Sequence, residues 1–319
     1  MKLADIGNTP FLELATVSSN GNRCFSKFEF LNPSGSHKDR TYLNMVSRLE
    51  EAGFIEPGMT LVDCSTGNGG AALAWIGKLK GYDVKIFMPE GMTEERKAQI
   101  LSFGAEIVET PKEGFLLGAV LEAKRYLAEC SSGGHYFLDQ SNSLLNREAW
   151  SVCGNEIVTS LKAMSVIPDF FVCSIGTGGT FSGIAEVLRR EYGNIKTVGI
   201  EVSSSAPLYS ERNNLHFEHC SHNLMGLGAG VLSVNTISEL IDEVRVVNGS
   251  DAWARMKRFI REEKISIGPT CGANLLICEE LAKDFYGKNI ITLFFDGSWK
   301  YVSRWDGVYP EYSEVADAT

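Results

Sequence analysis

Two glycine-rich turns constrain this chain more than any other feature. Ser65-Thr66-Gly67-Asn68-Gly69-Gly70 follows the short apolar run Leu61–Cys64 and opens an Ala-rich stretch that reads as a helix to Lys80. Gly176-Thr177-Gly178-Gly179-Thr180 follows a strand-like run at Asp169–Ser174 and opens a helix to Arg190. A strand that turns on glycine into a helix gathers backbone N–H groups and the helix N-terminus around one point, which makes an anion site. Glycine also lets the backbone approach what is bound. Two such units fit an α/β fold with parallel sheets covered by helices.

The rest of the chain keeps the same alternation. Val84–Met88, Glu106–Val108 and Tyr136–Leu138 read as strands, and Thr93–Phe103, Phe115–Ala128 and Asn146–Lys162 as helices, with Thr93 as an N-cap. In the second half, strands are expected at Thr197–Val202, Val244–Val247 and Ile290–Phe295, and helices at about Ser250–Glu263 and at Cys271–Phe285. Polar Asp139–Ser143 separates the halves. Ser203–Asn223 breaks the rhythm: it is polar and aperiodic and carries His216, His219 and His222. It reads as an active-site loop or lid. A metal site ranks lower, because these histidines have no acid pair beside them.

The segment Asn32-Pro33-Ser34-Gly35-Ser36-His37-Lys38-Asp39-Arg40 puts a lysine at the start of a helix expected from about Asp39 to Glu51, with Ser36 as its cap. A lone lysine is usually a solvated charge. A helix N-terminus disfavours an ammonium, which lowers the pKa and suits a Schiff-base lysine. Gly268–Asn274 is a loop feeding a helix that Thr270 is placed to cap. The turn at Gly176–Thr180 alone fits either a dinucleotide or a simple phosphate ester. Phe181 stands where a dinucleotide fingerprint wants glycine, and Glu201 ends the next strand as a ribose-binding acid would.

Composition narrows the partners. Lys and Arg number 30 against 40 Asp and Glu, a formal charge of −10, which disfavours nucleic acid and anionic membranes. No uninterrupted apolar run reaches the roughly 18 residues of a membrane helix, and the first ten residues lack the apolar stretch of a signal peptide. The eight cysteines form no C-x-x-C pair, so reduced thiols in a cytoplasmic protein without a metal site are expected.

Taken in order, these pieces resemble the cysteine synthase/cystathionine β-synthase family of fold-type II pyridoxal-phosphate (PLP) enzymes. Ile6–Pro10 is similar to its opening, Pro33–Arg40 to its lysine motif, Ser65–Gly70 to its substrate-carboxylate loop, Met88–Glu90 to a further familial run, and Gly176–Thr180 to its phosphate cup. Gly226–Gly230 resembles its G-I-G-A-G segment, and Phe294–Tyr301 its last strand and turn. The resemblance implies a two-domain fold: residues 1–143 with a smaller mobile part at about 40–143, and 144–319 carrying the cup. It implies that Lys38 forms the internal aldimine with pyridoxal 5′-phosphate and acts as the base. Asn68 would bond the 3′-oxygen, Gly176, Thr177, Gly178, Gly179 and Thr180 the phosphate, and Thr270 the pyridine nitrogen. Ser65, Thr66, Gly67, Gly69, Gln140 and Gly226 would meet the substrate.

The implied activity is β-replacement on O-acetyl-, O-phospho- or free L-serine through an α-aminoacrylate, giving cysteine or a β-substituted alanine. The alternatives are β-elimination, as in serine/threonine dehydratases, and threonine-synthase-like chemistry. A nicotinamide-dependent oxidoreductase rests on one turn alone. A homodimer is implied as well. The departures gather around the substrate. Gly69 stands where typical cysteine synthases have threonine, and Thr270 where serine is usual. The Asp139–Asn142 segment is one residue shorter than the family's, and Trp299 is unusual. The run Ser36–Arg40 also resembles threonine synthases and tryptophan synthase β chains.

Overall fold

The computed structural model describes residues 1–130 and 133–310. Strands β1 (Phe11–Glu13) and β2 (Arg23–Phe28) come first, and helix α1 (Lys38–Glu51) follows. Then β3 (Thr60–Cys64), α2 (Asn68–Lys80), β4 (Asp83–Pro89), α3 (Glu94–Ser102), β5 (Glu106–Thr110), α4 (Phe115–Glu129) and β6 (His135–Phe137) alternate. Helices α5 (Leu144–Glu148) and α6 (Trp150–Ala163) lead into β7 (Phe170–Ser174), α7 (Gly179–Glu191), β8 (Lys196–Val202) and the short α8 (Pro207–Arg212). The chain ends on β9 (Glu243–Val247), α9 (Gly249–Glu263), α10 (Pro269–Asp284) and β10 (Asn289–Phe294). The α/β reading holds, and β3 to β10 lie where apolar runs placed them, while β1 and β2 were not among the expected strands.

Two sheets form. One has four parallel strands in the order β5-β4-β3-β6. The other has six in the order β1-β2-β10-β7-β8-β9, parallel except for β1 against β2. The short β1–β2 connection can only reverse the chain, because a parallel pair needs a long crossover. Each sheet has its own apolar core. Helix α2 packs closely on β4 because residue 77 is glycine: a Cβ there would stand 2.5 Å from Val84 Cγ2.

Sheet membership runs differently from the division at residue 143. β2 pairs with β10 from Arg23 opposite Asn289 to Phe28 opposite Phe294, so the first strands belong with the C-terminal half. Phe25 and Phe28 are fully buried there, and Phe28 packs on Phe294 with ring centres 5.4 Å apart. Of the three expected caps, Thr93 is the N-cap residue of α3 as read, although its hydroxyl bonds elsewhere, and the other two differ. The Thr93 hydroxyl donates to Lys300 O at 2.7 Å. Lys38 itself opens α1, and Ser36 Oγ reaches its N–H only at 3.4 Å. Gly268 is the N-cap of α10, which leaves Thr270 inside the first turn.

Candidate active site

Each sheet reverses its strand order once. β4 and β5 lie to one side of β3 and β6 to the other, while β8 and β9 lie to one side of β7 and β10 to the other. Ligands of open α/β sheets bind in the crevice beyond the carboxyl ends of strands at such reversals. The loops after β3, β6, β7 and β10 converge on one cavity. Lys38, Ser65, Thr66, Asn68, Gly69, Gln140, Gly176, Thr177, Gly178, Thr180, Gly226 and Thr270 all line it. Gly67 and Gly179 do not line it, because the side-chain direction at each points into protein. A Cβ on Gly67 would run into Arg96, and one on Gly179 would lie 2.5 Å from Asn146 Oδ1.

A network of buried charges fixes the lysine segment. Arg40 bonds Glu29 through Nε at 2.7 Å and Glu156 through Nη1 at 2.8 Å, and Lys27 bonds Glu156 at 2.7 Å. Burial pushes the Glu156 carboxyl up, but Arg40 and Lys27 outweigh it and hold it at about 2. Lys38 Nζ donates to Gln140 Oε1 at 2.8 Å. The side chain keeps some exposure to the cavity, yet protein surrounds it, and burial pushes its amine down to about 8 against the pull of Asp63. His37 lies between Trp150 and Phe295, with ring centres 5.7 and 5.1 Å away. Burial holds its imidazole well below the ordinary range, hence neutral.

At the end of β3, Ser65 Oγ accepts from Gly67 N at 3.0 Å and Gly70 N at 2.9 Å, which leaves its own proton to donate. Thr66 Oγ1 donates to Met225 O at 2.8 Å, so it ties this loop to the 224–230 segment. Gln140 Nε2 donates to Cys64 O at 3.0 Å and keeps a second N–H. Asn68 Nδ2 donates to Asp296 Oδ2 at 2.7 Å, and Tyr301 donates to the same oxygen at 2.6 Å. Asp63 lines the cavity too, where burial pushes its carboxyl up to about 7 against the bond from Tyr42.

At the end of β7 the turn is uncharged. Gly178 takes φ +76°, and a Cβ there would stand 2.7 Å from Thr236 Cα, so only glycine serves. Thr177 Oγ1 accepts from Asn146 Nδ2 at 3.0 Å and keeps its proton. The N–H groups that begin α7 face the cavity end, as an anion requires. Thr270 Oγ1 is buried with no hydrogen-bond partner among the described residues, and Thr236 Oγ1 likewise. A ring nitrogen would give the cavity-lining Thr270 hydroxyl its missing partner, and the uncharged cup would offer a phosphate its N–H groups, so the residues fit pyridoxal phosphate. Glu201 is spent elsewhere: its carboxylate accepts from Leu208 N and Tyr209 N at 3.2 and 2.7 Å, not from a ribose.

The histidine segment reaches the cavity rim. His219 stacks on Phe115 at 5.2 Å, and Phe115 lines the cavity. His222 Nε2 pairs with Gly228 O at 3.0 Å, and His219 Nδ1 with Ser205 Oγ at 2.9 Å. These rings are thereby engaged with protein partners. Sequence reasoning missed Tyr42, Asp63 and Phe115. An acid inside the apolar run Leu61–Cys64, directly before a glycine turn, was the available signal for Asp63.

The family model for "pyridoxal-phosphate dependent enzyme" matches residues 3–296. A cysteine synthase of Staphylococcus aureus is 34% identical over 301 residues, covering 93% of this chain and 94% of that protein. Cysteine synthase B of Campylobacter jejuni is 34% identical over 298 residues, with 93% and 95% covered. Among solved structures, O-ureido-L-serine synthase superposes with TM-score 0.89 at 27% identity, covering 96% of this chain and 95% of that one. Cysteine synthase of Entamoeba histolytica gives TM-score 0.86 at 29% identity, covering 97% and 91%.

Proposed function

This chain belongs to the pyridoxal-phosphate dependent enzyme family, and from that premise we propose that it performs β-replacement on an activated L-serine, giving cysteine or another β-substituted alanine. The observation that carries the reading is the Lys38 amine, pushed down to about 8, held 2.8 Å from Gln140 Oε1 between the two glycine turns. Relatives named cysteine synthase and O-ureido-L-serine synthase support it. The cofactor is pyridoxal 5′-phosphate. When bound it would supply an electron sink at Cα, and a neutral Thr270 hydroxyl beside the ring nitrogen would keep that sink weak, which would favour prompt loss of the β-substituent.

Gly176, Thr177, Gly178, Gly179 and Thr180 would hold the phosphate, and Asn68 the ring oxygen through the amide that Asp296 anchors. Lys38 Nζ takes the Cα proton and later returns it. At a pKa of about 8, roughly a tenth of the amine is neutral at pH 7, against less than about a thousandth for an ordinary lysine. The Ser65 hydroxyl and the second N–H of Gln140 orient the substrate carboxylate, with the backbone at Gly67 and Gly69 beside them. Gly226 closes the far wall, where its Cα faces Thr270 Oγ1. The Thr66 bond to Met225 O draws the loop shut and excludes water.

Lys38 is the sole Lys or Arg among the described residues lining the cavity. A phosphate leaving group finds no second cation there, so an O-acyl serine is the favoured donor. The resemblance extends to a homodimer, which light scattering would read as twice the 35.0 kDa chain mass, and to a cytoplasmic setting. Among the described residues no helix is long and apolar enough to cross a membrane. The activity test incubates the holoenzyme with O-acetyl-, O-phospho- or free L-serine plus sulfide and quantifies products by mass spectrometry. Cysteine formed fastest from the O-acetyl donor is the expected result. Pyruvate as the main product with every donor would replace this reading with β-elimination.

A further inference from the structure

Lys38 and Tyr42 stand one turn apart on α1, so both side chains leave the same face of that helix. Tyr42 is wholly buried, and nothing in the chemistry above uses it. Burial pushes its phenol well up, so it is neutral and a donor. It donates to Asp63 Oδ2 at 2.8 Å, while Asp63 Oδ1 accepts from Cys64 N at 2.7 Å. The phenol is thereby fixed directly beneath the loop that begins at Ser65.

Gly69 lies in the first turn of α2 without a positive φ, so its backbone does not require glycine. Space does. A Cβ on residue 69 would lie 2.9 Å from Tyr42 Oη, 3.0 Å from Gln140 Nε2 and 3.0 Å from Ser65 Oγ. Three polar atoms from three elements converge on the place of a missing side chain. Two of them belong to Ser65 and Gln140, the cavity-lining groups assigned to the substrate carboxylate.

We propose that Tyr42 is a specificity-determining positioning residue: its hydroxyl fills the place a side chain at position 69 would take and sets the spacing at which Ser65 and Gln140 receive the carboxylate of the amino acid. Tyr42 and Gly69 are then a reciprocal pair, and neither tolerates change unless the other changes with it. This inference rests on the reading of the Ser65–Gly70 loop as the carboxylate site.

The test is a double-mutant cycle on the holoenzyme, with Gly69→Thr, Tyr42→Ala, the double variant and Tyr42→Phe. The readout is the dissociation constant of L-serine, and separately of L-serinamide, from the change in cofactor absorbance. Thermal midpoints report folding. Gly69→Thr is expected to weaken L-serine about tenfold or more, since added methyl and hydroxyl groups must displace three packed atoms. The double variant is expected to recover to within about threefold of the starting protein, because neighbouring substitutions in one contact are strongly coupled. Tyr42→Phe keeps the ring and loses the hydroxyl, and is expected to cut the preference for serine over serinamide about tenfold. A merely structural role would lower the thermal midpoint and leave that preference unmoved.

The proposal is overturned if Gly69→Thr binds L-serine as the starting protein does, if the double variant binds no better than Gly69→Thr, or if Tyr42→Phe keeps the full preference. Should Gly69→Thr fail to fold, the Tyr42→Phe preference decides alone. An unaltered protein whose cofactor absorbance responds to L-serine and L-serinamide equally overturns the carboxylate site itself, which is a distinct failure.

Discussion

The turns at the ends of β3 and β7 share one local plan, yet their surroundings are opposite. Gly176–Thr180 is held by neutral groups, Asn146 on one side and Thr236 on the other. Around Ser65–Gly70 the neighbours are ionisable: Lys38, Asp63, Arg96 and Asp296. Its contacts also cross between the two sheets, through Thr66 to Met225 O and Asn68 to Asp296. The difference follows from what each end must do. A cofactor that stays bound needs a rigid cup of backbone donors. A substrate that comes and goes needs groups whose contacts break and reform, and a proton that moves.

The sharpest way to break this comparison is to disturb the rigid end. Gly178→Ala combines an unfavourable φ of +76° with an overlap on Thr236. Its affinity for pyridoxal phosphate, titrated into the apoprotein, is expected to fall about a hundredfold, from strain and overpacking of 1–3 kcal/mol each. An unchanged affinity would show that the cup yields as readily as the substrate loop.

A smaller effect probes the charged end. Uptake of cofactor by the apoprotein needs the neutral Lys38 amine, so its rate should rise with pH through about 8. The Asp63 carboxylate raises that pKa. Asp63→Asn therefore moves the limb to lower pH and speeds uptake at pH 7, by at most about tenfold, the point at which all the amine is neutral. A limb that stays put, or moves to higher pH, would remove Asp63 from the account.

Much of this was legible in sequence because glycine leaves a backbone signature. The turn at Gly176–Thr180 could be placed from residue types alone, since a strand feeding a helix through glycines has few other uses. Lys38 was legible from its position at a helix start. Gln140 entered only through resemblance, because a glutamine in a polar loop has no pattern of its own. Tyr42 and Asp63 stayed hidden because their importance lies in a contact between a helix face and a strand end. The i+4 spacing from Lys38 to Tyr42 and the acid inside the apolar run Leu61–Cys64 were the traces of it. The membership of β1 and β2 was illegible for a similar reason: Arg23 pairs opposite Asn289, and periodicity carries no information on partners so far apart in sequence. Thr66 entered through the resemblance as a substrate group, and the fold adds that its hydroxyl bonds Met225 O.

In the proposed reaction Lys38 Nζ moves the Cα proton. Proton NMR of the O-acetylserine and sulfide reaction in deuterium oxide tests it, comparing the unaltered holoenzyme with Lys38→Ala loaded with the same cofactor. The account predicts cysteine carrying deuterium at Cα from the unaltered protein, and at least about a hundredfold slower exchange at Cα from the variant. Exchange at Cα that proceeds equally fast in both proteins would contradict it and move the base elsewhere in the cavity.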